Sequence, residues 1–254
     1  MSHRALWRLA LGLAGIGLAR ALYVVARSKH GVSSDAHKRA NRQGVIYWHG
    51  SLARNHVALT FDDGPHAPYT SQLLDVLQAN ATRATFFLLG ANVDADPASA
   101  KAIADAGHAI GNHGYTHRSM VLETRSEVQR QIETSEAAIL KATGVRPRVF
   151  RPPYGAIDRV TLDKSKQLGY IAVEWSVSSK DWKRPGVDAI VENVLSHLHN
   201  GAIVLMHDGG GDRTQTVAAV ARLIPELKRR GYQLVTIPEL LEISGTSGAP
   251  GVPG

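Results

Sequence analysis

From Val45 onward the chain alternates two kinds of apolar pattern. Stretches of helical period stop at a glycine, and a short continuous apolar run follows. Gly107 precedes His108-Ala109-Ile110, Gly169 precedes Tyr170-Ile171-Ala172-Val173, Gly201 precedes Ala202-Ile203-Val204-Leu205, and Gly231 precedes Tyr232-Gln233-Leu234-Val235. Glycine just past a helix C-terminus with a buried strand behind it is the joint of an α/β unit. Val57-Ala58-Leu59 and Thr85-Phe86-Phe87-Leu88-Leu89 read as further buried strands. Helix starts agree with this rhythm. Asp96-Pro97 offers an N-cap with proline in the first helical position, and Ser126 with Gln129 fits a capping box ahead of Val128, Ile132 and Ile139 on one face. Regular alternation of this kind predicts an α/β fold with a mainly parallel sheet and function at the C-terminal ends of its strands.

The ends of the chain break the pattern. Arg4 and Arg8 precede an uncharged run over residues 9–19, and Arg20 interrupts its continuation to Ala26. That length suits the core of a signal peptide and is short for a membrane span. Residues 1–27 are therefore expected to be a signal peptide or a membrane anchor, with passable cleavage sites at Ala19-Arg20-Ala21 and Val24-Val25-Ala26. Arg20, Arg27 and Lys29 outnumber the cations before the run, which for an anchor favours a cytoplasmic C-terminus; export is the reading adopted. Residues 28–44 read as a basic linker, 45–243 as one catalytic-sized domain, and the Gly/Pro/Ser-rich residues 244–254 as a disordered tail.

Charge sharpens the division. The chain of 254 residues has a formal net charge of +7, and residues 1–44 hold eight Lys/Arg against one Asp. The remainder has 21 of each sign, so the globular part is neutral and a nucleic-acid partner is not expected. A basic arm beside an apolar run points instead to membrane contact. The absence of cysteine excludes disulfides and any Cys-based metal or nucleophile site.

Polar residues cluster at the predicted strand exits. After Leu59 come Thr60-Phe61-Asp62-Asp63-Gly64-Pro65, where Gly-Pro stops the strand as two adjacent carboxylates arrive. Neighbouring buried anions need a positive charge between them, which would leave one Asp as a metal ligand and the other as a base; a solvated Asp-Asp-Gly turn fits these six residues equally. His113 and His117 are spaced to aim two imidazoles at one point, as metal ligands do and as unrelated surface histidines also do. Arg151 in Arg151-Pro152-Pro153-Tyr154-Gly155 can hold a carboxylate by a forked bond or make a structural salt bridge. Asp181-Trp182 follows the run ending at Trp175, and Leu205-Met206-His207-Asp208 ends the run after Gly201. A lone histidine such as His207 is more often a core residue than a catalyst. Gly209-Gly210-Gly211 lacks the Lys of a phosphate cradle and reads as a rim or helix lead-in at Thr214.

Together these segments resemble the polysaccharide deacetylases with the NodB-homology domain, carbohydrate esterase family four, over about residues 57–241. The resemblance implies a distorted (β/α) barrel with an open groove for a polysaccharide or oligosaccharide. It assigns Asp62 as general base and Asp63, His113 and His117 as ligands of a divalent metal, zinc foremost, with cobalt or another divalent ion as alternatives. Arg151 would orient the base and the Tyr154 N–H would contribute to the oxyanion hole. Asp181 would tune His207, the general acid, while Trp182 and Leu205 would line the pocket. Ser178 departs from the family pattern, which often has Asp three residues before the Asp-Trp pair.

The reaction so implied is removal of N-acetyl groups from N-acetylglucosamine residues of a peptidoglycan or chitin-type polymer by an exported, membrane-anchored or secreted monomer. The rival readings are an O-deacetylase of acetyl-xylan, a non-catalytic wall-binding protein, and a cytoplasmic amidohydrolase of a small metabolite.

Overall fold

The structure, a computed structural model, describes residues 46–245. The expected signal or anchor segment, the basic linker and most of the Gly/Pro-rich tail lie outside the described residues. Among those described, no helix is long and apolar enough to cross a membrane.

Eight strands form one sheet: β1 His56–Asp62, β2 Thr85–Leu88, β3 Ala109–Asn112, β4 Val149–Phe150, β5 Ile171–Ala172, β6 Val177–Ser178, β7 Ile203–His207 and β8 Gln233–Leu234. Their spatial order is β5-β4-β3-β2-β1-β7-β6, with β8 beside the start of β1. Every pairing between them is parallel, as the alternation predicts. The connecting helices are α1 Tyr69–Ala79, α2 Gly90–Ala95, α3 Pro97–Asp105, α4 Arg125–Thr143, α5 Arg159–Gln167, α6 Val187–Leu195, α7 Thr214–Arg229 and α8 Ile237–Ile243. The glycine joints behave as expected: Gly107, Gly169, Gly201 and Gly231 have φ of 74°, 84°, 74° and 81°, where a side chain would be strained.

Strand alternation divides the core into two. Val57, Leu59 and Phe61 of β1, with Val204 and Met206 of β7, pack outward against Leu73, Leu77, Ile103, Ile139 and Leu223 of the helices. Ala58 and Ile203 face the other way, with Phe87, Val149 and Val173, onto Ile237, Leu240 and Leu241 of α8. Because side chains repeat every second residue, Thr60 and Asp62 lie on the face of Ala58, and Leu205 and His207 on that of Ile203. The inner face is thus apolar at one end and polar at the other.

The sheet is curled into a half-barrel of the expected type. β5 and β6 are opposite edges in the pairing order, yet only residues 173–176 separate them, a reach of at most about 18 Å. The incoming segment partly bridges this opening, since Tyr47 pairs with Val173 and His49 with Ala202. The strand expected to end at Trp175 therefore stops earlier, and the chain crosses to the far edge to form β6 before reaching Asp181.

One cap also differs. Asp96 caps α3 by accepting from Ser99 N at 3.0 Å, as expected, but the N-cap of α4 is Thr124, not Ser126. Thr124 Oγ1 accepts from Glu127 N at 3.2 Å. Two overlapping Ser/Thr-x-x-Glu/Gln patterns compete here. The earlier one brings Arg125 and Ser126 into the helix and satisfies the otherwise free N–H of Glu127.

Candidate active site

Parallel register brings the C-terminal ends of these strands level, although they run from two to seven residues. Asp62 is in register with His207 on one side and Phe87 on the other, while Asn112 is level with Leu88 and Phe150. His113 and Arg151, the next residues of their chains, therefore emerge beside Asp62.

Arg151 is fully buried, and its guanidinium donates to β1 and to the chain leaving β5. Its Nη1 donates to Asp62 Oδ1 at 2.7 Å and to Thr60 Oγ1 at 2.8 Å, its Nη2 to Glu174 O at 3.0 Å and its Nε to Val173 O at 3.4 Å. The expected fork on one carboxylate is not formed. A single nitrogen serves Asp62, because backbone carbonyls leaving β5 take the other two. Asp62 Oδ2 stays clear of the arginine and lies 3.8 Å from His113 Nε2.

Asp63 would point to the outer face if β1 continued. Its φ of 74° turns it back, a sparsely populated conformation for a non-glycine residue. Two contacts hold that turn: Asn92 Nδ2 donates to Asp63 O at 2.7 Å, and Gly209 packs so close that an added Cβ would lie 2.1 Å from the same oxygen. Asp63 Oδ1 then stands 3.4 Å from His113 Nε2 and 3.1 Å from His117 Nε2. His117 is likewise left-handed, with φ of 57°.

These three residues can hold a metal ion. One ligand atom of each lies within 4.8 Å of the others. Donors about 2.0–2.1 Å from one tetrahedral ion would stand about 3.4 Å apart. Asp63 Oδ1 is buried without a hydrogen-bond partner, and His113 Nδ1 is engaged with Arg151 O at 2.7 Å, which leaves Nε2 free as ligand. Burial opposes the charge on Asp63, but the His113 imidazole close beside it and the fields of His117 and His207 hold its carboxyl well below the usual range. Burial pushes the His117 imidazole down, toward the neutral form a metal binds.

His207 Nδ1 bonds Asp181 Oδ1 at 2.8 Å. Burial disfavours the imidazolium, yet that bond and charge, with the charges of Asp62 and Asp63, outweigh it and raise the pKa of His207. Two exposed aromatic rings flank the cluster. Trp182 meets the His207 ring edge-on at 5.6 Å, and Tyr154 meets that of His117 at 4.4 Å. Leu205 lies buried one inward position below His207. All ten predicted residues therefore collect at one end of the half-barrel.

Several supporting residues carry no local sequence signal. Asn112 Oδ1 accepts from Gly114 N at 2.8 Å, and Gln131 Oε1 from Tyr115 N and Thr116 N at 3.1 and 3.0 Å, shaping the loop between the two histidines. Asp208 is fully buried beneath Gly64 and accepts from Thr70 Oγ1 at 2.6 Å; burial, with Asp63 and Asp62 nearby, pushes its carboxyl up to about 7. Arg213 pins the triglycine loop by donating to Gly209 O at 2.7 Å and Gly210 O at 3.0 Å.

Comparison with known proteins places this geometry among relatives. The model of a family described as polysaccharide deacetylase matches residues 49–173. A peptidoglycan-N-acetylglucosamine deacetylase of Bacillus cereus is 39% identical over 206 residues, 80% of this chain and 96% of the relative. A chitooligosaccharide deacetylase of Sinorhizobium fredii is 39% identical over 194 residues, 72% of this chain and 90% of the relative. Among solved structures, a peptidoglycan N-acetylglucosamine deacetylase in complex with a naphthyl-substituted N-hydroxybenzamide superposes with a TM-score of 0.77 at 36% identity, covering 79% of this chain and 94% of that one.

Proposed function

The chain belongs to the polysaccharide deacetylase family, and from that premise we propose that it removes N-acetyl groups from N-acetylglucosamine residues of a peptidoglycan or chitin-type polymer. The observation that carries this reading is the meeting of Asp63, His113 and His117 beside a carboxylate held by Arg151 and a histidine held by Asp181.

Asp63, His113 and His117 would hold the divalent ion, and a His₂-carboxylate set suits zinc. When bound, such an ion supplies Lewis acidity to the amide carbonyl and makes water more acidic. Asp62, with Oδ1 tied to Arg151, has Oδ2 available to take the proton of the attacking water. Hydroxide oxygen bonds to the carbonyl carbon, and the N–H of Tyr154 donates to the oxygen on which charge develops. His207, with Nδ1 committed to Asp181, gives a proton from Nε2 to the amide nitrogen as the C–N bond breaks. Acetate and a glucosamine residue leave. Trp182 and Tyr154 offer faces to neighbouring sugars, and Leu205 gives the acetyl methyl an apolar wall.

The N-terminal apolar run and basic arm support action at the cell envelope, with membrane contact through that arm. Acetate release from peptidoglycan, chitin oligomers and acetyl-xylan, with and without chelator, tests the reading. Release from neither amide substrate would overturn it, and release from xylan alone would make the protein an O-deacetylase.

A further inference from the structure

The loop that carries Asp181 and Trp182 is fastened from outside by the first turn of α7. Asp181 accepts four hydrogen bonds. Ser179 Oγ and His207 Nδ1 donate to Oδ1 at 3.0 and 2.8 Å, and His207 N and Thr216 Oγ1 donate to Oδ2, both at 2.9 Å. Two of these come from His207 itself and one from within the loop, so Thr216 is the donor that ties the carboxylate to a separate element. Thr216 is fully buried. Its neighbour Gln215 reaches the other end of the same loop, where Oε1 accepts from Gly186 N at 2.8 Å.

Such fastening has work to do. Lys180 and Arg184, on either side of Asp181-Trp182-Lys183, sit in the left-handed region with φ of 57° and 50°, which side chains adopt only when the surroundings over-determine them. The strand feeding the loop, β6, is a two-residue edge strand and contributes little. Asn193 adds one bond at the loop's start, donating to Ser179 O at 3.1 Å.

Resting on the deacetylase reading, we propose that Thr216 and Gln215 are positioning residues with separable effects. Thr216 keeps Asp181 Oδ1 aimed at His207 Nδ1, so it acts on the proton that reaches the leaving nitrogen. Gln215 holds the loop's far end, so it acts on the Trp182 wall and on how tightly the glycan sits. Without the Thr216 hydroxyl a buried charged oxygen is short of a donor, and the carboxylate turns to recover one. That rotation loosens the bond at Oδ1.

The test uses the full-length, metal-loaded protein and an N-acetylglucosamine oligomer. Thr216→Val is expected to lower kcat by roughly 10- to 100-fold, the loss of a hydrogen bond to a charged group, with KM unchanged. Its basic pH limb should move down, in the direction of Asp181→Asn but by less, and Thr216→Ser should restore both. Gln215→Ala is expected to raise KM by roughly two- to tenfold, leaving kcat and the pH limbs in place. The titration of His207 in wild type and Thr216→Val is followed by NMR, which needs no turnover. If wild type releases no acetate, the functional reading fails while the NMR comparison still judges Thr216. An unmoved His207 titration, failure of serine to rescue, or equal changes in kcat and KM for both variants would overturn the proposal.

Discussion

Arg151 reaches Asp62 with one nitrogen, Nη1 to Oδ1 at 2.7 Å, while that same nitrogen lies 2.8 Å from Thr60 Oγ1 one inward position below. The arginine is at once the counter-charge of the proposed base and a strut between β1 and the exit of β5. No other side chain can repeat this. Lysine carries the charge but not the planar spread of donors, and methionine keeps the length but loses both.

Arg151→Met should therefore cost stability as well as turnover. Removing one partner of a buried pair typically destabilises by about 3–5 kcal/mol, because Asp62 is left charged without its cation. Urea unfolding of the variant is the measurement. A midpoint equal to wild type would show that the strut is dispensable.

The pH profile separates the acid from the base. As the proposed acid, His207 must carry its proton to serve the leaving nitrogen, so activity is expected to fall as pH rises through its pKa. Burial lowers that pKa, while Asp181 leads the charges that raise it, and the basic limb accordingly lies above the ordinary imidazole range. Asp181→Asn removes the charge and moves the limb down, by about 1–3 units if the carboxylate dominates. The acidic limb should stay. Measurement of kcat/KM against pH checks both, and movement of the acidic limb would mean that the aspartate roles are exchanged.

The two adjacent aspartates should fail in different ways. Asp62→Asn is expected to abolish nearly all turnover and keep metal, since Asp63, His113 and His117 remain. Asp63→Ala removes a ligand and is expected to lose metal as well. Elemental analysis of the purified variants reads this without an activity assay. Chelation of wild type should abolish acetate release and zinc should restore it; full activity in a verified metal-free preparation would sink the metal assignment.

Removal of residues 1–44 should leave a soluble, active domain that no longer sediments with membranes. All of the excess positive charge goes with that segment. An inactive or insoluble product would show that the arm packs on the domain and that its boundary lies elsewhere.

Local pattern was enough to find the parallel α/β architecture, the helix cap at Asp96 and the strand-exit segments that hold the ten residues meeting at the site. The reason is periodicity. A buried strand is a continuous apolar run, so a polar residue at its exit stands out, and parallel strands place every exit at the same end. The resemblance to a family then attached roles to residues that spacing alone left ambiguous. Tertiary structure decided what depends on distant partners. The approach of the sheet's two edges ends the strand expected to reach Trp175 at Ala172 and adds a separate short strand, β6, beyond it. Backbone carbonyls at Val173 and Glu174 compete for Arg151 and undo its fork. A left-handed turn at Asp63, held by Asn92 and Gly209, brings two neighbouring carboxylates into one cluster instead of onto opposite faces. The support of Asp181 by Thr216, 35 residues away, leaves no periodic trace, because a hydrogen bond between separate elements constrains only the two positions it joins.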